Sequence, residues 1–232
     1  QLLILFIGFR KRISLGTDNL SEHIVFNGCF GNQRHIIAAC VVLFIRQTVC
    51  IGKMGIRTSN TCDVVLEDCR IPAANLVGEE GRGFSIAMKT LDQARAWMGC
   101  VATGIAQRGI NEGIAYAKER VQFGKPVIKN QAMQFKVADM EIKTETARQM
   151  VAHALTKMDM GLPHSKEAAI AKCYASDIAM EVASEAIQMF GGYGYSREYP
   201  VEKLLRDAKI FQIFEGSNEI QRIVVANNTI GR

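Results

Sequence analysis

Apolar residues recur at helical spacing along most of the chain beyond residue 83. From Phe84 to about Arg120 they lie three or four residues apart, and the same spacing returns from Gln131 to about Met160. A third stretch, Ser165 to Phe190, is rich in alanine and other apolar residues. Each stripe would cover one face of a helix, so the pattern predicts three long amphipathic helices.

Glycine and proline residues mark where these helices end. The second stretch stops at Gly161 and Pro163, and the third stops at Gly191-Gly192. Pro200 suits the first turn of a shorter helix, and a last helix is predicted from near Ser217 to about Asn228. Long amphipathic helices joined by short loops cannot bury their stripes alone. They predict a mainly α fold, an antiparallel bundle resembling a four-helix bundle.

The first 83 residues follow a different pattern. Residues 60–69, NTCDVVLEDC, are rich in strand-forming residues, and the glycines at 78, 81 and 83 are typical of a loop. Residues 1–52 hold two apolar runs, QLLILFIGFRKR and HIIAACVVLFI, without a clear period. In the first run the basic residues follow the apolar ones, which is the wrong order for a secretory signal. We interpret residues 1–52 as a poorly specified segment, either foreign to the rest or built from divergent β-strands. The absence of an initial methionine favours a fragment or a processed product.

Composition excludes several classes of protein. Of 232 residues, 48% are hydrophobic and 22% charged, as in ordinary soluble domains, and no run of eighteen apolar residues predicts a membrane span. The net charge of +5 comes mostly from residues 1–53, so the nearly neutral body predicts no nucleic-acid surface. Seven irregularly spaced cysteines and four scattered histidines lack metal-ligand spacing. We therefore predict no metal site, and free thiols in a reducing compartment.

The loop FQIFEGSNEIQR, residues 211–222, carries the strongest candidate chemistry. Glu215 follows four mostly apolar residues and precedes Gly216, and Ser217 is well placed to cap the next helix. Burial would raise the pKa of this carboxyl, whereas a nearby helix N-terminus would lower it. A base for a weakly acidic C–H bond needs the raised value, so desolvation would have to dominate. A purely structural glutamate is the alternative.

Four segments resemble one family in the same order along the chain. FEGSNEIQR resembles the catalytic loop of acyl-CoA dehydrogenases, and residues 57–84 resemble the end of the β-domain of that family. ERVQFGKPVIKNQAMQ, residues 119–134, resembles its flavin-contacting segment, and residues 188–210 resemble its glycine-rich turn and following helix. The likeness runs from about Lys53 to Arg232. It implies that residues 53–83 are the tail of a β-domain and residues 84–232 the C-terminal helical domain.

This resemblance implies an FAD-dependent enzyme that oxidises an acyl-CoA to trans-2-enoyl-CoA. Glu215 stands at the position of the base that removes the α-proton, and its backbone N–H would bind the thioester oxygen. A base in this loop, rather than near Asp92 on the first helix, favours short- or medium-chain straight substrates. Asp92, Arg95 and Gly216 match substrate-binding positions, and the alternative for Arg95 is an ordinary solvated helix charge.

The resemblance also implies cofactor and partner contacts. The positions that match FAD contacts are Arg120, Gln122, Phe123, Gln131, Gln188, Met189, Phe190, Gly191, Gly192, Ser217, Asn218 and Glu219. Several of these reach the FAD of a neighbouring subunit in the family, which predicts a homotetramer with FAD at a subunit interface. Electrons would pass to an electron-transfer flavoprotein, in the bacterial cytoplasm or the mitochondrial matrix. The alternatives are an acyl-CoA oxidase and an inactive helical fragment that only self-associates.

Overall fold

A computed structural model describes residues 52–59, 61 and 73–231 of the protein. These residues fall into two compact units. The first takes residues 52–53, 57–59, 61 and 73–91, and the second takes 54–56 and 92–231. The interpretation of residues 1–51, and of the β-rich segment within residues 60 and 62–72, lies outside the described residues. The proposed domain boundaries stay predictions.

Five α-helices account for most of the described residues. They are α1 (Gly83–Glu119), α2 (Gln131–Asp159), α3 (Ser165–Phe190), α4 (Val201–Ala208) and α5 (Asn218–Ile230). Between α1 and α2, strands β1 (Val121–Gln122) and β2 (Lys125–Pro126) form an antiparallel hairpin in which Val121 pairs with Pro126. Short 3-10 turns cover Ala73–Asn75, Val127–Lys129, Gly191–Tyr195 and Lys209–Gln212. The predicted helices and their ends are confirmed. None of the helices in the described part of the chain is long and apolar enough to cross a bilayer.

In the first unit, the described contacts are local. Lys53 donates a hydrogen bond to the carbonyl oxygen of Ser59, and Arg57 donates one to the carbonyl oxygen of Lys53 at 2.8 Å. The backbone N–H of Leu76 closes the turn of Ala73–Asn75 by donating to Ala73 O at 3.1 Å.

In the second unit, two ion pairs show the relative direction of α2 and α3. Lys157 of α2 pairs with Glu167 of α3 at 2.7 Å, while Lys136 near the start of α2 pairs with Glu185 near the end of α3. The two helices therefore run antiparallel. Gln107 of α1 accepts a hydrogen bond from Arg148 of α2 at 2.7 Å. The packing of these three helices confirms the predicted mainly α bundle.

The bundle core is built largely from small residues. The alanines at 102, 106, 168, 171, 175, 179, 183 and 186 are fully buried, and Ile110, Val182 and Met189 fill the space between them. Small side chains let helix backbones approach closely and bury their apolar stripes. The alanine-rich stretch of α3 is therefore the centre of the bundle, since it contacts α2, α4 and α5.

Gly99 of α1 lies at one of these close approaches. A Cβ atom added there would lie 2.9 Å from Cγ2 of Val151 and 3.3 Å from the backbone of Ala171, whereas one added at Gly104 would meet nothing within 4 Å. We expect Gly104→Ala to raise the free energy of unfolding by up to about 1 kcal/mol, because alanine favours helix. Gly99→Ala should be less favourable than Gly104→Ala by about 1–3 kcal/mol, because the core is overpacked.

Denaturant unfolding of the two variants measures this difference directly. Both changes insert one methyl group in the same helix, so the helix-propensity gain cancels in the comparison. Equal unfolding free energies for the two variants would contradict the close approach at Gly99.

Candidate active site

The loop between the Lys209–Gln212 turn and α5 adopts an unusual backbone conformation. Phe214 is buried and packs edge-on against Phe211 with ring centroids 5.0 Å apart. The next two residues, Glu215 and Gly216, both have positive φ, at 57° and 88°. Glycine adopts such values freely, but a glutamate there costs about 1–2 kcal/mol. The surrounding structure must therefore hold Glu215 in this conformation.

Side chains from three helices hold the two carbonyl groups of this bend. Gln221 of α5 donates from Nε2 to Gly216 O at 2.9 Å and to Glu215 O at 3.3 Å. Lys172 of α3 donates to Gly216 O at 2.8 Å, and Arg95 of α1 donates from Nε to Glu215 O at 3.4 Å. We call Arg95, Lys172 and Gln221 the carbonyl clamp. It ties the loop to the bundle core, since all three side chains are buried.

The carboxyl group of Glu215 is largely shielded from solvent. Among the residues that the structure describes, none donates a hydrogen bond to its buried Oε2 atom. Burial raises the pKa of Glu215 above its ordinary value, and the positive charges of Arg95 and Lys172 lower it by less. This balance matches the sequence argument that desolvation has to dominate. A carboxylate in this state has a free oxygen available to accept a proton.

Arg95 connects the first helix to this carboxyl. Only 5% of Arg95 is exposed, and its guanidinium pairs with Asp92 at 2.6 Å. A Cβ atom on Gly216 would lie 3.7 Å from Nη2 of Arg95. Arg95 is therefore buried beside the loop, not a solvated helix charge. The structure brings together the four predicted residues Glu215, Gly216, Arg95 and Asp92.

A cleft of about 520 Å³ collects most of the predicted cofactor residues. Its lining includes Arg120, Gln122 and the whole segment Gln188–Gly192, with Tyr116 and Tyr193 as aromatic walls. Tyr116 stacks on Phe190 with centroids 4.1 Å apart, and the guanidinium of Arg120 lies 5.7 Å from the centre of the Tyr193 ring. The cleft therefore combines a cation, side-chain amides and flat apolar surfaces.

Two other predicted cofactor residues lie outside the lining of this cleft. Phe123, at the tip of the hairpin, is 96% exposed and has a positive φ of 52°. Gln131 is exposed at the first position of α2. Both side chains are available to another molecule, whereas neither contributes to the walls of the cleft.

The start of α5 holds the remaining predicted cofactor residues. Ser217 occupies the N-cap position, but its hydroxyl makes no capping hydrogen bond, so the capping role was wrong. A hydrogen bond from Ser217 instead lowers the pKa of the exposed Glu219 carboxyl. The Ser217 hydroxyl therefore bonds to a side chain of α5 and not to the backbone of that helix.

Asn218 points inward. Only 3% of it is exposed, and its side-chain oxygen accepts hydrogen bonds from Lys172 at 2.8 Å and from Ser176 at 3.2 Å. Its amide nitrogen donates to Asp177 at 2.8 Å, to Ser176 at 2.9 Å and to Cys173 O at 3.3 Å. Asn218 thus fastens the N-terminus of α5 to α3.

Sequence reasoning missed Lys172 and Gln221. Lys172 is a lone charge in the stretch AAIAKCYAS, where neighbours on the same helical face are buried alanines. A lysine on such a face is unusual unless it has a partner, and this position could have been noticed from the sequence. Gln221 gives no comparable indication, because glutamine is common in helices.

Comparisons with known proteins show which family the chain resembles. The family model described as "Acyl-CoA dehydrogenase, C-terminal domain" matches residues 81–230. The short-chain specific acyl-CoA dehydrogenase of Megasphaera elsdenii is 53% identical over 172 residues, 74% of this chain and 45% of that protein. The solved butyryl-CoA dehydrogenase from Megasphaera elsdenii is 46% identical, with a TM-score of 0.83 over 85% of this chain and 52% of that chain.

A third similarity concerns a structure described as the electron transferring flavoprotein of Acidaminococcus fermentans. One of its chains is 45% identical and has a TM-score of 0.82 over 84% of this chain and 52% of that chain. The present chain therefore spans about half the length of the proteins that it matches.

Proposed function

Because the chain belongs to the acyl-CoA dehydrogenase family, we propose that the protein oxidises a short- or medium-chain acyl-CoA to trans-2-enoyl-CoA with Glu215 as base. The observation that carries the proposal is the Glu215 carboxyl itself. It is shielded from solvent, its pKa is raised by burial, and its Oε2 has no hydrogen-bond donor within the described residues. The dehydrogenase relatives favour this function over an oxidase or an inactive self-associating fragment.

The reaction begins with proton removal by Glu215. Its carboxylate takes the α-proton of the thioester, and desolvation strengthens it as a base. The backbone N–H of Glu215 would donate to the thioester oxygen, which stabilises the negative charge that develops there. Gly216 suits the bend because its φ is 88° and an added Cβ atom would lie 2.7 Å from Nε2 of Gln221. Arg95 and Lys172 favour the ionised form of Glu215, because their charges oppose the rise in its pKa that burial causes.

The cleft has the groups that FAD needs. The guanidinium of Arg120 suits an anionic pyrophosphate, since it is planar and permanently charged. Gln122 and Gln188 offer side-chain amides, and added Cβ atoms at Gly191 and Gly192 would meet nothing within 4 Å, so their backbone is open to a ligand. When bound, FAD supplies the acceptor for the hydride that leaves the substrate β-carbon. Ser217, Asn218, Glu219, Phe123 and Gln131 are the remaining proposed contacts.

The exposed positions support a cofactor shared between subunits. Phe123 extends from the hairpin tip with almost no contact to its own chain, and Gln131 is also exposed. We propose that both reach the FAD of a neighbouring subunit in a homotetramer. An electron-transfer flavoprotein is the proposed acceptor, supported by the similarity to the Acidaminococcus fermentans structure. The bacterial relatives favour the bacterial cytoplasm over the mitochondrial matrix.

The visible absorption spectrum tests this function. Purified protein that has been incubated with FAD and freed of unbound FAD by gel filtration should show a flavin band that bleaches after anaerobic addition of butyryl-CoA or octanoyl-CoA. A flavin band that stays unchanged with both substrates would contradict acyl-CoA oxidation. No flavin band, even with added FAD, would contradict the cofactor assignment.

Arg120→Ala tests the cleft separately from the chemistry. Loss of one charge-assisted hydrogen bond of about 1.5–3 kcal/mol should weaken FAD binding by roughly 10- to 100-fold. Lys118→Ala is the matched control, because Lys118 is an exposed cation at the same end of α1. Fluorescence titration with FAD measures both. Equal affinities for the two variants would remove Arg120 from the cofactor site.

A further inference from the structure

Lys172 is a buried cation that the proposed chemistry does not use directly. It lies in the middle of α3 and is fully buried among alanines. Its ammonium donates to two acceptors, the Gly216 carbonyl and the Asn218 side-chain oxygen, both at 2.8 Å. A lysine charge in such a place is costly unless its donors are satisfied. Packing alone therefore does not explain why a charged lysine occupies this buried position.

The two acceptors of Lys172 flank the bend that carries Glu215. Gly216 is the second residue of the positive-φ pair, and Asn218 is the first residue of α5. Asn218 is itself fixed by hydrogen bonds to Ser176 and Asp177 of α3. The ammonium thus joins the Gly216 carbonyl of the bend to a buried side chain that is itself tied to α3. Without it, Gln221 would be the remaining clamp donor to Gly216 O within the described residues.

We propose that Lys172 is a positioning residue for Glu215, whose buried ammonium ties the Gly216 carbonyl to Asn218 and so fixes the left-handed backbone that directs the Glu215 carboxylate. The inference rests on the proposed role of Glu215 as base. Lys172 touches neither of the reacting atoms in this scheme. It acts through the backbone of the loop and through its charge.

The charge of Lys172 is sensitive to pH in the neutral to alkaline range. The pKa of the ammonium is lowered to about 8, mainly by burial and to a smaller extent by the charge of Arg95 from α1, while nearby acidic groups oppose the shift. Those groups are Cys173 and Asp177 on α3 and Glu215 on the loop, while Glu219 on α5 also feels the Lys172 charge. Above this pH the neutral amine makes weaker hydrogen bonds to both acceptors, because they are no longer charge-assisted, and it no longer lowers the Glu215 pKa. The bend should therefore loosen on the alkaline side of pH 8.

Lys172→Met removes the charge and both hydrogen bonds while keeping most of the side-chain volume. We expect the rate of flavin bleaching by butyryl-CoA to fall by about 10- to 100-fold, because misplacement of a reacting group by an ångström can cost this much. In the wild type, the plot of bleaching rate against pH should fall near pH 8 on its alkaline side, and this fall should disappear in the variant. On the acid side, where the rate falls as Glu215 takes up a proton, the fall should move to higher pH. Lys166→Met, which removes a half-buried lysine from the same helix, should keep the wild-type profile.

Lys172→Arg separates positioning from simple packing. It restores a permanent positive charge with hydrogen-bond donors, so part of the rate should return while the limb near pH 8 stays absent. A uniform loss of rate in Lys172→Met, with an unchanged pH profile, would mean a merely structural role and overturn the proposal. A wild-type rate and pH profile in Lys172→Met would also overturn the proposal.

A measurement on the unmodified protein requires neither turnover nor a folded variant. The backbone amide resonances of Gly216 and Ser217 should shift with a midpoint near pH 8, as Lys172 releases its proton. An amide titration without this midpoint overturns the inference. If the amides titrate but acyl-CoA never bleaches the flavin, the link from Lys172 to the loop stands, and it is the proposed function that fails.

Discussion

We expect Glu215→Gln to lower the rate of acyl-CoA-dependent flavin bleaching by about 10³-fold, within the range typical of a lost general base. The change is nearly isosteric and keeps the backbone at φ 57°, which Arg95 and Gln221 hold through the Glu215 carbonyl rather than its side chain. The free energy of unfolding should change little, because the carboxyl oxygen Oε2 accepts no hydrogen bond from the described residues. Stopped-flow absorption at the flavin band measures the rate.

The control for this variant is Glu141→Gln. Glu141 carries the same functional group, is exposed on α2 and belongs to none of the proposed substrate or cofactor contacts. Its replacement should leave the bleaching rate within a few-fold of wild type. If Glu215→Gln bleached the flavin at the wild-type rate, the assignment of Glu215 as the base would be wrong.

The helices could be predicted from sequence because their information is local. The stripes of α1, α2 and α3 repeat at helical spacing, and Gly161 and Gly191 mark the ends of α2 and α3. The roles of the site residues were a different matter. Spacing alone left Glu215 open to a structural reading, and the resemblance to a family supplied its chemistry.

The carbonyl clamp could not be predicted because it depends on contacts between distant parts of the chain. Lys172 is 44 residues from Gly216, and Arg95 is 120 residues from Glu215. No local sequence pattern predicts that side chains of α1, α3 and α5 meet at the Glu215–Gly216 bend. Ser217 shows the opposite error: its position suggested a cap, yet a competing partner, Glu219, takes its hydroxyl.

The clamp also explains how one loop can satisfy two opposed demands on Glu215. A strong base needs a desolvated carboxyl, but a desolvated carboxyl tends to stay protonated at neutral pH. Arg95 and Lys172 lower the pKa without donating to the carboxyl oxygen Oε2, because their hydrogen bonds go to backbone carbonyls and to Asp92 and Asn218. The charges therefore favour the ionised form of Glu215, the proposed base, while Oε2 stays free to accept a proton.

Arg95→Met should move the acid limb of activity to higher pH. Arg95 lowers the pKa of Glu215, so its removal raises a pKa that burial has already raised. The base acts only when ionised, and the rate is lost as pH falls through the Glu215 pKa. For each unit by which that pKa rises, the rate well below it falls about tenfold, while the rate well above it is retained. The loss at pH 6 should therefore exceed the loss at pH 9.

Arg108→Met is the matched control for this shift. Arg108 lies on the same helix and pairs with Glu112 at 2.5 Å, but 61% of its side chain is exposed, so its charge is screened. Arg95→Met should also lower the free energy of unfolding by about 1–3 kcal/mol, since Asp92 loses a charged hydrogen bond. The bleaching rate measured as a function of pH separates the change in the Glu215 pKa from the change in stability. Lost stability lowers the rate by the same factor at each pH, whereas a raised pKa moves the acid side of the profile to higher pH. A limb that stays at the wild-type pH in Arg95→Met would show that the Arg95 charge does not reach the base.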